Sequence, residues 1–250
     1  MNELKIGNLT VKIPIIQGGM GVCVSLSGLA SAVANEGGIG VISAVGIGMT
    51  EPDFRKNFRA ANKEALKKEI RKARSKTNGI IGVNIMMAVS DFDDLLKVSL
   101  KEHIDVVFIG AGLPLKKPTN INNSLLECTN TKFIPKVSSA RAAKLIFQYW
   151  SQKYNRVPDA IVLEGPLAGG HIGFKKNEIS ENEKTLQSIL KTTLPIVKSF
   201  EQKYGIEIPI IAGGGINSGK DIWKIMSLGA KGVKMGTRFV TTHECDASIE

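Results

Sequence analysis

Residues 208–235 read IPIIAGGGINSGKDIWKIMSLGAKGVKM, and this stretch decides the fold. An apolar run, Ile208–Ala212, meets three glycines, Gly213-Gly214-Gly215; Asn217 or Ser218 then caps a helix over Gly219–Leu228, and Gly229 ends it. A second apolar run, Gly232–Met235, follows. Strand, glycine turn, helix and strand make one unit of a parallel sheet. Working outward, the same alternation gives strands at Ile13–Ile16, Ile39–Ser43, Ile80–Asn84, Val106–Ile109, Phe133–Val137 and Ala160–Leu163. Helices are predicted at Ser27–Glu36, about Phe58–Lys76, Asp91–Lys101, Ser138–Tyr154 and Glu183–Tyr204, with a shorter one near Asn122–Cys128. Ser27 and Asp91 read as caps, and Gly37 and Gly205 sit where helix C-termini favour positive φ.

Eight strands separated by helices predict an α/β chain of the (β/α)8 barrel type, since open doubly wound sheets more often stop earlier. A length of 250 residues suits a single domain over residues 1–250. Beyond the last strand, Thr237–Glu250 is too short for a complete closing helix and lid segment, so a C-terminally incomplete barrel is expected. Lys116–Asn123 and Gly169–Ser180 read as long loops after strands.

Hydrophobic residues at 43% and charged residues at 22% exclude a disordered chain. No apolar run reaches the roughly 18–20 residues that span a bilayer, and Met1–Thr10 lacks the regions of a signal peptide, so a cytoplasmic protein is expected. Cys23, Cys128 and Cys245 form no CxxC pair, which argues against structural zinc and a disulfide framework. Most of the net charge of +10 sits between Arg55 and Lys76, where ten basic residues face only Glu64 and Glu69. With no aromatic interleaving beyond Phe58, this is the solvated face of a helix rather than a nucleic-acid surface.

In a (β/α)8 barrel the chemistry lies at the C-terminal ends of the strands. Four of the loops there are rich in glycine: Gln17-Gly18-Gly19-Met20-Gly21, Glu164 to His171, Gly213-Gly214-Gly215 and Gly236-Thr237. Glycine lets backbone N–H groups approach a ligand, and the loops after strands seven and eight often cradle phosphate, so a phosphorylated ligand is expected. The chain has no GxGxxG turn. Gly214 to Asp221 approaches a P-loop but ends on aspartate where magnesium binding needs serine or threonine, which argues against nucleoside triphosphate hydrolysis.

Of three histidines, His103 reads as a surface residue, and His243 lacks partners at metal-ligand spacing, so no metal is expected. His171 follows two glycines in a strand-end loop, where an imidazole can act as acid, base or hydrogen-bond donor. Asn84 and Lys136 stand at strand ends; Lys136 either neutralises a reduced cofactor or forms an ordinary salt bridge. Lys116-Lys117 and Lys175-Lys176 could steer anions, and Cys23 reads as a packing residue beside the first glycine loop.

Ile15 to Gly21, Ala168-Gly169-Gly170-His171, Ile211 to Ile216 and Met235-Gly236-Thr237-Arg238-Phe239 together resemble the nitronate monooxygenases, formerly called 2-nitropropane dioxygenases. The similarity runs in order along essentially the whole chain, and flavin-dependent enoyl-acyl-carrier-protein reductases share its landmarks. The resemblance implies FMN. Gln17, Gly18, Gly19 and Met20 would border its ring, Asn84 and Lys136 would touch its polar edge, and Glu164, Gly169 and Gly170 would line the other side. Gly213, Gly214, Met235, Gly236 and Thr237 would hold the phosphate, with His171 as the active-site histidine. Leu167 stands where the family's Glu-Ala-Gly-Gly-His carries glutamate. The activity implied is oxidation of a small anionic nitro compound by O2 to a carbonyl compound and nitrite. The alternative is an enoyl-thioester reductase using NAD(P)H and an acyl carrier protein. Neither reading involves nucleic acid or membrane, and a homodimer is left open.

Overall fold

The computed structural model describes residues 2–115, 130–171, 173–175, 179 and 184–248. The chain opens with a hairpin that the sequence reading did not foresee, β1 (Leu4–Ile6) and β2 (Leu9–Val11), paired antiparallel with Ile6 opposite Leu9. Gly7, at φ +57°, supplies the left-handed residue that a two-residue turn demands. Leu4, Ile6 and Val11 are buried.

Eight further strands follow: β3 (Ile15–Gln17), β4 (Ile39–Ser43), β5 (Ile80–Met86), β6 (Val106–Gly110), β7 (Lys132–Val137), β8 (Ile161–Glu164), β9 (Ile210–Gly213) and β10 (Gly232–Met235). They form one sheet that closes on itself in the order β10-β3-β4-β5-β6-β7-β8-β9, a (β/α)8 barrel as the strand count predicts. Every predicted apolar run carries a strand, with ends shifted by a residue or two. The helices are α1 (Ser27–Asn35), α2 (Phe58–Arg74), α3 (Phe92–Lys101), α4 (Ala140–Tyr154), α5 (Leu186–Tyr204), α6 (Gly219–Ser227) and the single turn α7 (Thr237–Val240). The helix expected near Asn122–Cys128 lies outside the described residues, as do Lys116, Lys117, Lys176 and Glu183.

Contacts group the chain into two compact units, one of Leu113–Leu115 and Lys132–Met235 with the first 16 residues, the other of Gln17–Gly112 with the residues from Gly236 on. In the first, α4 packs on α5 through Phe147 and Phe200, stacked with centroids 4.9 Å apart, and Trp150 Nε1 donates to the Pro114 carbonyl at 2.9 Å. In the second, α1 lies on β4 so closely that a Cβ on Gly40 would stand 1.7 Å from the Ala30 carbonyl oxygen. The basic α2 is laced to its surroundings: Lys68 pairs with Glu51 at 3.0 Å, Arg71 with Glu102 at 2.7 Å and Arg74 with Asp105 at 2.7 Å. Exposed pairs of this kind add little stability each, and they partly offset the charge the sequence concentrates there.

Two predicted caps are corrected. Ser27 is the first residue inside α1, and the N-cap position belongs to Leu26, which has no side chain able to cap. The missing acceptor comes from 220 residues away. Asp246 takes the N–H groups of Leu26, Gly28 and Leu29 at 2.7, 2.9 and 3.0 Å, and Glu69 takes that of Ser27 at 2.8 Å. Asp91 occupies the N-cap of α3, but its carboxylate accepts from Asn62 Nδ2 at 2.8 Å instead of capping. Ser218 caps α6 as predicted, Gly205 ends α5 at φ +65°, and Gly37 and Gly229 also have positive φ. Among the described residues no helix is long and apolar enough to cross a membrane.

Candidate functional site

The residues singled out in the sequence fall on both units, and each set has its own internal logic. In the unit that holds β4 and β5, Gln17 is fully buried. Its Oε1 accepts from Val41 N at 2.8 Å and its Nε2 donates to the Gly18 carbonyl, so this side chain shapes the first glycine loop. Gly19 is required by its neighbour, because a Cβ there would sit 2.4 Å from Asn84 Cβ. Met20 N donates to Ser25 Oγ at 2.7 Å, and Ser25 Oγ donates back to the Met20 carbonyl at 3.0 Å. The loop continues through Val22 and Cys23 at φ +54° and +60°, backbone that costs non-glycine residues about 1–3 kcal/mol apiece. It is held by the far end of the chain: Cys245 Sγ and Asp246 N both donate to the Val24 carbonyl, at 3.4 and 3.3 Å.

Three side-chain polar atoms among the described residues of this unit are buried without a hydrogen-bond partner: Ser27 Oγ at the start of α1, and two on the strands, Asn84 Oδ1 and Ser43 Oγ. Ser43 and Asn84 are register partners on adjacent parallel strands and therefore share a face of the sheet. An unmet buried acceptor costs about 1–3 kcal/mol, so a ligand donor that reached Asn84 Oδ1 would be rewarded. Ser43 was missed in the sequence, where a serine closing an apolar run carries no signal. Gly236 lies beside Met20, its would-be Cβ 3.6 Å from Met20 Sδ, and Thr237 opens α7.

In the other unit, Lys136 on β7 and Lys234 on β10 reach the same oxygen of Glu164, the last residue of β8: Oε1 stands 3.6 Å from Lys136 Nζ and 3.1 Å from Lys234 Nζ. The lysine side chains are 12% exposed and that of Glu164 is 17% exposed. Lys234 was not foreseen, because its partner sits two strands away. Gly213 explains the reach. It pairs with Glu164 on one side and with Lys234 on the other, so the intervening strand presents no side chain where the ion pair crosses it. Burial pushes the Glu164 carboxyl up, but the charges and hydrogen bonds of the two lysines outweigh it and hold the group below its ordinary value. Burial, reinforced by the charge of Lys234 and opposed by that of Glu164, brings Lys136 down to about 7. When both lysines are protonated, two ammonium groups share one carboxylate oxygen and the site has positive charge to spare.

The loops beyond these strands interlock. Gly214 and Gly215 have φ +104° and +72°, and a Cβ on either would press on Ala168 N at 2.8 Å or Leu167 Cδ1 at 2.9 Å. Gly169 and Gly170 face open space, with nothing within 4 Å of a would-be Cβ. His171 is exposed, and its imidazole makes no hydrogen bond or ion pair among the described residues. Met235 closes β10. The P-loop look-alike is a capping box: the Asp221 carboxylate accepts from Asn217 N, Ser218 N and Ser218 Oγ at 3.1, 3.0 and 2.7 Å. A carboxylate therefore fills the place a triphosphate would need. Among the described residues no cluster of three or more His, Cys, Asp or Glu could hold a metal.

The family model described as nitronate monooxygenase matches residues 2–249. The chain belongs to that family. Relatives of this nitronate monooxygenase family chain include "Probable nitronate monooxygenase" of Staphylococcus aureus strain Newman, 29% identical, with 96% of this chain and 68% of that protein covered. A Rhodococcus jostii protein named (3aS,4S,5R,7aS)-5-hydroxy-7a-methyl-1-oxo-octahydro-1H-indene-4-carboxyl-CoA dehydrogenase is 26% identical, with 94% of this chain covered. The chain spans 54% of that Rhodococcus relative's length. Among solved structures, FabK from Thermotoga maritima matches with a TM-score of 0.71 and 32% identity, over 95% of this chain and 62% of that one.

Proposed function

We propose that this protein binds FMN and oxidises an anionic nitronate with O2, giving a carbonyl compound and nitrite. The observation that carries the reading is the nitronate monooxygenase family match over residues 2–249. The residues present suit FMN in kind: a buried acceptor without a donor at Asn84, glycines open to a ligand at Gly169 and Gly170, and spare positive charge at Lys136 and Lys234 for an anionic cofactor.

In this reading Gln17 would hold the first loop in shape, Asn84 and Lys136 would serve the polar edge of the ring, and Glu164, Gly169 and Gly170 would line its other side. Gly213, Gly214, Met235, Gly236 and Thr237 receive the phosphate. When bound, FMN supplies the electron transfer between nitronate and oxygen that no side chain can perform. The exposed His171 donates a hydrogen bond to the nitro group, or takes the α-proton on an imidazole nitrogen when a neutral nitroalkane enters. Lys175 adds positive charge in the same loop and favours the anion.

The test is oxygen uptake by FMN-reconstituted protein given propionate-3-nitronate without NAD(P)H. Rapid uptake with nitrite release is expected, and His171→Asn should impair neutral nitroalkanes at least as much as nitronates. No uptake by protein shown to hold FMN would overturn the reading. A second reading, reduction of an enoyl thioester with NAD(P)H, draws support from the Rhodococcus relative, whose name carries a carboxyl-CoA. NAD(P)H oxidation dependent on crotonyl thioester would favour it.

A further inference from the structure

The Lys136–Glu164–Lys234 cluster contains more than the cofactor reading uses. Glu164 Oε1 is claimed twice, and the claims are unequal: Lys234 Nζ stands within hydrogen-bond reach at 3.1 Å, whereas Lys136 Nζ waits at 3.6 Å. The inequality is built into the sheet. Glu164, Gly213 and Lys234 lie level across β8, β9 and β10, and the bare Gly213 gives Lys234 a clear path; a Cβ there would stand 3.4 Å from Lys234 Cβ. Lys136 pairs in register with Val162, two residues before Glu164, and must reach along the strands.

Among the described residues no other charge compensates Lys136. Glu164 is the one ionisable residue of β8, Lys234 that of β10, and β6 and β9 carry none. On β7 the other lysine, Lys132, lies at the opposite end. The buried faces of α4, α5 and α6 are apolar or carry threonine, and Arg141 and Lys144 at the start of α4 are exposed, as is His171.

We propose that Lys234 is a positioning residue for Lys136: by holding Glu164 Oε1 from two strands away, it leaves Lys136 Nζ under-paired and able to release and regain a proton beside an anionic ligand. Identifying that anion with FMN rests on the function proposed above; the hold of Lys234 on Lys136 does not. The lowering of Lys136 to about 7 agrees with the geometry, with burial the largest cause and Lys234 the next. At neutral pH the cluster then carries a charge that can rise when an anion arrives and fall when it leaves, without moving a strand.

The test is a pH titration of ε-carbon-labelled lysine by NMR on the full chain, with Lys136 assigned from the signal missing in Lys136→Gln. In the protein without FMN, Lys136 should titrate near neutral pH. Lys234→Met should raise that midpoint by a unit or more, a roughly tenfold fall in the ratio of uncharged to charged amine at pH 7. Lys234→Arg, which keeps the charge and the reach, should restore the low midpoint; a purely structural role for Lys234 would not give this pattern. If Lys234→Met does not fold, Lys234→Gln carries the same comparison. A midpoint left unchanged by the neutral variants, or an ordinary lysine midpoint in the wild type, overturns the proposal. FMN added to the wild type should raise the Lys136 midpoint. If FMN leaves it unmoved while the Lys234 effect is present, the cofactor reading fails and the role of Lys234 stands.

Discussion

Replacing Asp246 with alanine removes the acceptor for three N–H groups at the start of α1 and leaves only the bond from Ser27 N to Glu69, and the structure sets the size of the loss. Three backbone N–H groups, those of Leu26, Gly28 and Leu29, end on its two carboxylate oxygens at 2.7–3.0 Å. Losing an N-cap costs about 1–2 kcal/mol. Removing an anion from a helix N-terminus costs about 1 kcal/mol more when partly buried. Water replaces the acceptor poorly at Leu29, which is 1% exposed. Asp246→Ala should therefore destabilise by about 2–3 kcal/mol on those two terms. Asp246→Asn, which keeps an acceptor but loses the charge, should fall between Asp246→Ala and the wild type. Urea unfolding followed by far-ultraviolet circular dichroism checks this: the midpoint should drop in that order while the slope is unchanged. An Asp246→Ala variant as stable as the wild type would refute the idea that this carboxylate holds the helix start.

Two other expectations follow from packing and titration. Gly40→Ala drives a Cβ to 1.7 Å from the Ala30 carbonyl, so α1 must leave β4 and little folded protein should be recovered. Gly219→Ala, in open space at the start of α6, should fold normally in the same expression trial; equal yields of both would contradict the close packing. Lys136 has a lowered folded-state value of about 7 against 10.5 unfolded. Between those limits the unfolded chain binds more protons, so this group's contribution to stability rises with pH by roughly 1.4 kcal/mol per unit and is level below and above the window. Melting curves of wild type and Lys136→Met should diverge between pH 7 and 10 in the wild type's favour, and parallel pH profiles would refute the burial argument.

What the sequence made legible is what repeats locally. Continuous apolar runs such as Ile39–Ser43 and Gly232–Met235 became strands because a parallel sheet buried on both faces needs them. Gly205 and Ser218 act within one turn of their helices, so their roles could be read in place. Features joined over distance stayed hidden. Nothing near Ser27 reveals that its helix is capped by Asp246, and Lys234 meets Glu164 only because Gly213 leaves the strand between them bare. The hairpin of β1 and β2 escaped because three-residue strands are too short to show a period. Asn84 stood out at the end of a predicted strand, but that its Oδ1 lacks a donor follows from the packing around it.

The anchoring of residues 20–25 by Cys245 and Asp246 also bears on the order in which the protein is made. The first glycine loop is made together with the strained Val22 and Cys23, yet two bonds to its Val24 carbonyl come from residues synthesised more than 200 positions later. Until Cys245 and Asp246 are translated, the nascent chain thus carries a segment whose tether does not yet exist. The loop is made more than 200 residues before it is locked, and a chain halted before Cys245 would hold all eight barrel strands with that lock still open.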